Sequence, residues 1–422
     1  MRARVGAAAI AALLTTGVVV ANSSSGAVGA GSAGSLDPTF GNGGKVITNL
    51  GGVPTSSVQQ PNGDILVSIS STLTPTTAVA RFLQNGALDT SFGTGGVAET
   101  AIAGGKLTLQ ASGKIIIGAS NGSSESTGLA FAAERLSPSG KPDPTFGTGG
   151  VASASSEGFS ADCTLVEPSG KVLIGGYEDV TGRPPQVLGL IMRFNSNGTL
   201  DTSFGNGGRV HIPASSGGVA DLGLDASADV FVLTGRNDAV SELSPTGQVD
   251  ASVTPATLTS ISKGNFGAFE GEGTTLLAND ESLQATAFTT ANHGNYKAQI
   301  LRHTVTGALD PAFSNPPFRY TGETTNLGRD VAREVVVGPE GKLIVVGNHS
   351  PSPFTTGVIG VERLNANGEL DSTFGNGGGV TTAFSQHDGG YSVVVEPNGK
   401  IVVVGLSQIG EANQVVLARL LG

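Results

Sequence analysis

Short runs of β-branched and aliphatic residues alternate with glycine-containing polar turns along most of the chain, and the same order returns seven times. One recurrent piece is a turn followed by an apolar run: PNGDILVSI from Pro61, ASGKIIIG from Ala111, PSGKVLIGG from Pro168, SADVFVL from Ser227, EGTTLLA from Glu272, PEGKLIVVG from Pro339 and PNGKIVVVG from Pro397. A second is an apolar run leading into another turn: ARFLQNG from Ala80, ERLSPSG from Glu134, MRFNSNG from Met192, SELSPTG from Ser241, LRHTVTG from Leu301, ERLNANG from Glu362 and ARLLG from Ala418. Apolar runs this short fit strands rather than helices, and Asn-Gly or Ser-Gly between them marks hairpins, because Gly and Asn tolerate the positive φ of tight turns. Each unit therefore holds two hairpins.

A third piece joins the units. It reads LDPTFGNGGKV from Leu36, LDTSFGTGGV from Leu88, PDPTFGTGGV from Pro142, LDTSFGNGGRV from Leu200 and LDSTFGNGGGV from Leu370, with degraded copies VDASVTPAT from Val249 and LDPAFSNPP from Leu309. Its aspartates (Asp37, Asp89, Asp143, Asp201, Asp250, Asp310, Asp371) are spaced by 52, 54, 58, 49, 60 and 61 residues. That period is too long for helical-pair or leucine-rich repeats and matches a four-stranded propeller blade. We expect strands a and b around the first turn, c before the second, and d across the LDxxFGxGG segment. A lone four-stranded sheet cannot bury both faces, so the units must stack radially. The last copy stops at Arg419, Leu420, Leu421 and Gly422, where other units continue into LDxxFG, and the first begins with that missing segment. The expected fold is an all-β, seven-bladed β-propeller of four-stranded antiparallel blades, closed by pairing of the N- and C-terminal strands.

The combination of PNGKIVVVG, ERLNANGELD and STFGNGG resembles the delta-60 repeat, a bacterial β-propeller repeat without a general assigned chemistry. The resemblance covers residues 34–422. It implies the fold and supplies no catalytic residues. The fourth and fifth copies depart from it: Val253 and Phe313 stand in the Phe slot, and both copies lack the Gly-Gly.

Composition agrees with strands and turns. Gly makes up 65 of 422 residues, about twice its usual share of roughly 7%, and Gly opposes helix by about 1 kcal/mol relative to Ala. Charged residues are only 14%, as expected where sheets cover one another. A net charge of −11 with 23 scattered basic residues disfavours nucleic acid and anionic membrane surfaces as partners. At the N-terminus, Arg2 and Arg4 precede an apolar stretch from Val5 to Val20, and Val19, Val20 and Ala21 suit small-residue cleavage. Residues 1–21 are expected to be a signal peptide, 22–33 a Ser/Gly/Ala-rich tether and 34–422 the propeller, giving a secreted or cell-surface product with no membrane span after cleavage. Retention of the segment as an anchor is the alternative.

Repeated polar residues tempt one to see a ring of ligands. The aspartates are accompanied by Arg81, Arg135, Arg193, Arg302, Arg363 and Arg419, with Glu242 in the seventh slot, and by Phe40, Phe92, Phe146, Phe204, Phe313 and Phe374. A residue present in every blade serves the blade, so Arg and Asp are expected to pair within the scaffold and Phe to fill space between blades. The single Cys163 excludes an internal disulfide and reads as a small buried strand residue. His211, His293, His303, His349 and His387 lie in different units without metal-site spacing and read as solvated or satisfied. There is no GxSxG elbow and no phosphate loop. Neither a metal nor a cofactor is expected.

Function is then sought in the connections that vary. The longest falls at Asn279 to Lys297, where Asn279, Asp280, Glu281, His293, Asn295 and Tyr296 are candidate ligand or partner contacts. The sequence thus predicts a non-catalytic, monomeric binding module for an unknown protein or surface glycan. The alternative is a lactonase-like hydrolase with its site at the central channel. The two differ at the axis: the hydrolase predicts acidic or His side chains converging from several blades, and the binding module predicts a channel of small and apolar residues.

Overall fold

The computed structural model describes residues 31–422 apart from 72–75, 122–129, 156–157, 181–185, 213–217, 226, 235–239, 250–273, 278–280, 290–295, 305–307, 315–328, 351–356 and 386. Among the described residues the chain folds as an all-β propeller of seven antiparallel sheets. Strand β1 (Lys45–Gly51) comes first and belongs to the sheet that closes the ring. The first complete sheet is β2 (Val53–Gln59), β3 (Ile65–Ser70), β4 (Thr77–Phe82) and β5 (Val97–Glu99). The second is β6 (Leu107–Leu109), β7 (Ile115–Asn121), β8 (Ala130–Leu136) and β9 (Val151–Ser155), and the third is β10 (Gly158–Val166), β11 (Val172–Val180), β12 (Gln186–Phe194) and β13 (Arg209–Ile212). The fourth and fifth have three described strands each, β14 (Val219–Leu224), β15 (Val230–Thr234) and β16 (Val240–Leu243), then β17 (Thr274–Leu276), β18 (Ser282–Thr289) and β19 (Tyr296–His303). The sixth is β20 (Arg329–Val337), β21 (Leu343–Ser350), β22 (Val358–Leu364) and β23 (Gly379–Thr382). The closing sheet takes β24 (Asp388–Val395), β25 (Ile401–Ile409) and β26 (Ala412–Leu420) from the C-terminal end and β1 as its outermost strand.

The first strand of every sheet touches its counterparts in the sheets on either side, in an unbroken cycle β2, β6, β10, β14, β17, β20, β24 and back to β2. These are the innermost strands. The second strands are buried almost end to end, as in β3, β15 and β21, because sheets press on both of their faces. Continuous apolar runs are the sequence mark of strands covered on both sides, so the ILV-rich runs and the low charge have one cause. The cores are correspondingly made between sheets: Phe40 of the closing sheet clusters with Ile65, Val67 and Phe82 of the first.

Closure follows the expectation. Lys45, Val46 and Ile47 of β1 pair with Ala418, Leu417 and Val416 of β26, and Leu36 bridges Leu420. One sheet edge that a linear array would leave open is thereby paired.

Two assignments need correction. The LDxxFGxGG segment is not strand d. It is a compact loop in which Thr39 N and Oγ1 both donate to Asp37 Oδ1, Phe40 N donates to Asp37 O and Gly44 N donates to Phe40 O. Strand d follows the segment, as β1, β5, β9, β13 and β23 do. The Asp side chain holds the backbone in a local turn that competes with ladder pairing. The glycine after Phe is obligatory: Gly93 has φ +54, and a Cβ there would lie 2.2 Å from Val97 O.

The second correction concerns the fifth unit. The repeat pattern places EGTTLLA at strand b, but Thr274–Leu276 is the innermost strand and Ser282–Thr289 is strand b, paired on its other side with Tyr296–His303. The turn between these strands, residues 277–281, holds no glycine to mark the phase, so the sequence pattern assigns the apolar run to the next strand.

Candidate functional site

The repeated residues build a scaffold at one end of the sheets. In five copies the Arg of strand c donates from Nε to Oδ2 of the Asp eight residues on: Arg81 to Asp89, Arg135 to Asp143 and Arg193 to Asp201 at 2.8 Å, Arg302 to Asp310 at 2.7 Å and Arg363 to Asp371 at 2.9 Å. The guanidinium lies 4.3 to 4.8 Å from the ring centre of its own Phe. Its Nη1 reaches the next sheet, where Arg81 donates to Pro138 O at 2.7 Å and Arg135 to Ser196 O at 2.6 Å. The Phe side chain also spans the gap, since a Cβ on Gly140 of the second sheet would lie 2.8 Å from Phe92 Cζ. A lysine at the start of strand b completes the cluster, Lys114 on Asp143, Lys171 on Asp201, Lys342 on Asp371 and Lys400 on Asp37. Burial alone raises the pKa of Asp37, Asp143, Asp201 and Asp371, but the lysine and hydroxyl hydrogen bonds and the Arg charge outweigh it and hold all four well below the usual carboxylate range. These groups are engaged with one another and with the chain, as expected of scaffold.

In the fourth unit the cations are replaced by acids. Glu242 stands in the Arg slot, Asp229 precedes strand b, and together with Asp225 they bring carboxylate oxygens within 4.8 Å of one another. Asp225 Oδ1 accepts the backbone amides of Ser227 and Asp229, which is the hydrogen bonding of a tight turn. Asp250 lies outside the described residues.

A different position varies around the ring. Counting eight residues back from the residue that precedes strand b reaches Ser56, Lys106, Cys163, Asp221, Glu334 and Ser392. These occupy one register: Ser56 faces Ser68, Cys163 faces Gly175, Asp221 faces Leu233, Glu334 faces Val346 and Ser392 faces Val404, while Lys106 O accepts from Gly118 N. In β2, β10, β14, β20 and β24 a β-bulge immediately precedes this position and inserts Thr55, Asp162, Ala220, Arg333 and Tyr391. A bulge re-aims side chains, here on strands that line the centre of the ring.

The result is a polar layer across the channel. Lys106 Nζ lies 3.3 Å from Asp221 Oδ2, an ion pair between the second and fourth sheets that passes over the third, and 32% of the Lys106 side chain stays open. Burial draws the Lys106 pKa down, but Asp221, with Cys163 and Glu334 behind it, more than reverses this and leaves it raised. Glu334, from the sixth sheet, accepts Val393 N at 2.6 Å. Burial pushes its pKa up, although the Val393 amide and the Ser392 hydroxyl pull the other way. Ser392 Oγ in turn accepts Ser57 N at 3.0 Å, and Ser56 Oγ accepts Leu107 N at 3.3 Å. The Arg333 guanidinium stacks 4.8 Å from the Tyr391 ring centre. Cys163 is buried as expected, and burial raises its thiol pKa well above the ordinary value. The channel is therefore not the small, apolar lining that the binding module predicted.

The loop candidates fare differently. Asn279, Asp280, His293 and Asn295 lie outside the described residues. Glu281 immediately precedes β18 with its carboxylate 3.6 Å from Arg302 Nε, and Tyr296 pairs through its backbone with Thr289 at the opposite end of that strand. The segment from 279 to 297 thus contains a strand rather than one long loop, and these two residues flank different ends of the sheet. Among the histidines, His211 is exposed and meets Glu178 at 2.8 Å. His303 is neither solvated nor satisfied: it is fully buried, both ring nitrogens lack a partner, and burial lowers its pKa to about 4.

The layer residues carry no repeat signature, because they stand at a column, eight residues before the one that precedes strand b, where the repeats differ.

Comparison with known proteins agrees on the fold. A likeness of TM-score 0.51 at 12% identity, covering 85% of this chain and 96% of the other, relates it to the periplasmic gluconolactonase of Pseudomonas aeruginosa. A catalytically inactive virginiamycin B lyase from Staphylococcus aureus, solved with quinupristin, gives 0.50 at 11% identity over 89% and 98% of the two chains. No curated protein matches the chain. The family described as a domain of unknown function (DUF5122) beta-propeller matches residues 60–92, 110–146, 167–204, 338–374 and 396–421. Each match starts at the turn before strand b and takes in strands b and c, and the first four run on to the Phe of the LDxxF loop; they fall in the first, second, third, sixth and closing sheets.

Proposed function

We propose that this protein is an exported, non-catalytic β-propeller that binds a small ligand in its central chamber. The observation that carries the proposal is the unequal layer: Lys106, Asp221 and Glu334, from three sheets that are not neighbours, meet across the channel at a position where the first, third and closing sheets hold Ser, Cys and Ser. Repeated residues serve each blade, and a few convergent polar groups in a concavity are what ligand sites use. Export rests on the basic start and apolar stretch of residues 1–21. The chamber groups are held by structural bonds, Lys106 on Asp221 and Glu334 on the Val393 amide. Equilibrium dialysis of the full chain against a mixture of small metabolites, read by mass spectrometry, tests this. Retention by the wild type that is lost in the Lys106→Met, Asp221→Asn double variant is expected, and equal retention by both overturns the proposal.

A second reading is favoured by the same layer. Acidic side chains from two sheets converging at the axis match what the hydrolase reading predicts, and one structure of like fold is a gluconolactonase. Gluconolactone hydrolysis followed by pH-stat separates the two. No acceleration over buffer is expected; acceleration abolished by Glu334→Gln would establish the hydrolase instead.

A further inference from the structure

We infer that the chamber holds its ligand by an uncharged carbonyl oxygen, as in an amide, which accepts from the Lys106 ammonium and the Thr164 backbone amide. The inference rests on the chamber being the ligand site and adds the class of ligand.

Backbone pairing comes first. Gly118 N donates to Lys106 O, so these residues form a bonded pair of the antiparallel ladder, and the next amide, Leu107 N, points away from β7 toward the channel. The same register turns the amides of Ser57, Thr164, Leu222, Val335 and Val393 inward. Where the preceding sheet has an acceptor in the polar layer, that acceptor takes the amide. Ser392 Oγ accepts Ser57 N at 3.0 Å, Ser56 Oγ accepts Leu107 N at 3.3 Å and Glu334 accepts Val393 N at 2.6 Å. Leu222 N is taken at 2.9 Å by Asp221 Oδ1 of its own strand. For Val335 the corresponding residue of the fifth sheet lies outside the described residues. Thr164 differs from all of these: the preceding sheet supplies Lys106, and an ammonium only donates. Thr164 Oγ1 is also buried without a partner, so the seam between the second and third sheets is short of acceptors twice over.

An unmet donor in a concavity calls for an acceptor from the ligand, since leaving a buried polar group unpaired costs about 1–3 kcal/mol. Lys106 supplies a second donor at the same place. Its side chain passes over the third sheet to reach Asp221, near enough to Cys163, the residue before Thr164, for each to act on the other's charge. Among the described residues the ammonium bonds Asp221 Oδ2 alone, at 3.3 Å, which leaves N–H groups to spare. A carbonyl oxygen accepts from both donors and adds no charge. A carboxylate would bring negative charge beside Asp221 and Glu334, and an amine would bring donors where acceptors are short.

Saturation-transfer difference NMR of the full chain with isobutyramide, isobutyrate and isobutylamine, which share one alkyl group, tests the inference together with hydrogen exchange at the Thr164 amide. Isobutyramide should bind at least about tenfold more tightly than the other two, the usual worth of a charge-assisted hydrogen bond, and should slow exchange at Thr164. Lys106→Ser places the hydroxyl of the first and closing sheets opposite Thr164. It should slow that exchange without ligand and weaken isobutyramide by at least about tenfold. The exchange measurement on the wild type stands even if the variant fails to fold. Isobutyramide binding that leaves Thr164 exchange unchanged overturns the inference. Preference for either charged probe also overturns it: if Lys106→Ser abolishes that binding the chamber remains the ligand site, and if not both fall. No binding of any probe at millimolar concentration overturns the carbonyl inference and leaves the chamber to be judged by the dialysis.

Discussion

Arg419 donates from Nε to Oδ2 of Asp37 at 2.8 Å, across 382 positions of sequence, in the same geometry that Arg135 and Asp143 achieve across eight. The contact is chemically one of a set and topologically unlike the rest. Arg419 also reaches Gln84 O of the first sheet at 2.6 Å and stacks on Phe40 at 4.6 Å. The bond forms only if the ring closes, so it couples the outermost strand of the closing sheet to the next sheet around.

A chain beginning at Gly52 should therefore lose far more than one edge strand. It lacks β1, Asp37 and Phe40, leaving the buried Arg419 with only the Glu396 carboxylate, at 3.3 Å, and breaking a buried pair costs up to about 3–5 kcal/mol. Urea denaturation followed by circular dichroism should show a lower midpoint; an unchanged midpoint would mean that closure contributes little.

The Arg and Asp of one copy should be energetically coupled. Arg363 and Asp371 lie 2.9 Å apart with side chains 13% and 5% exposed. Arg363→Ala and Asp371→Ala should each destabilise, and the double variant should lose less than their sum by about 1–3 kcal/mol. Strict additivity in a denaturant double-mutant cycle would rule the pairing out as a source of stability.

Glycines of the repeat should divide by what surrounds them. Gly140 has φ +80 and a Cβ would meet Phe92 at 2.8 Å, whereas Gly149 has φ +63 with nothing within 4 Å. Gly149→Ala should cost about 1 kcal/mol for backbone strain alone. Gly140→Ala should cost about 1–3 kcal/mol more, because the ring between sheets must move. Equal thermal shifts would refute the packing role of Phe92.

His303 should make the fold acid-sensitive in a defined window. It occupies the slot held by Leu136, Leu243, Leu364 and Leu420, and its pKa falls from 6.5 to about 4 by burial. The unfolded chain then binds the extra proton first, so stability present above pH 6.5 declines as pH falls toward 4, by up to about 3 kcal/mol. Burial raises the pKa of Glu134 and Glu334, which act in the opposite sense, and the depressed aspartates act only below about pH 4. Comparing His303→Leu with the wild type cancels these terms. The variant should be more resistant to urea at pH 5 by more than at pH 7.5, and a pH-independent difference would exclude proton linkage.

Repeat, phase and ring closure were legible in the chain because they are written in local chemistry. Asn-Gly and Ser-Gly turns, ILV runs and the half-unit at each end carry their meaning within a few residues. The place of strand d was not legible: the LDxxFGxGG loop and the strand after it are both short and glycine-rich, and only Thr39 closing on Asp37 shows which is which. The phase of the fifth unit failed for want of a glycine turn.

Lys106, Asp221 and Glu334 lie in three separate units, and nothing within any one unit marks them. Bulges re-aim Asp221 and Glu334 on their innermost strands, and the three meet because the cycle of seven sheets brings those strands around one axis. Local sequence thus dictates the blade, since turns and burial on both faces act between neighbours. The chamber belongs to the tertiary structure alone, because charges from sheets that are not neighbours interact only once the circle is complete.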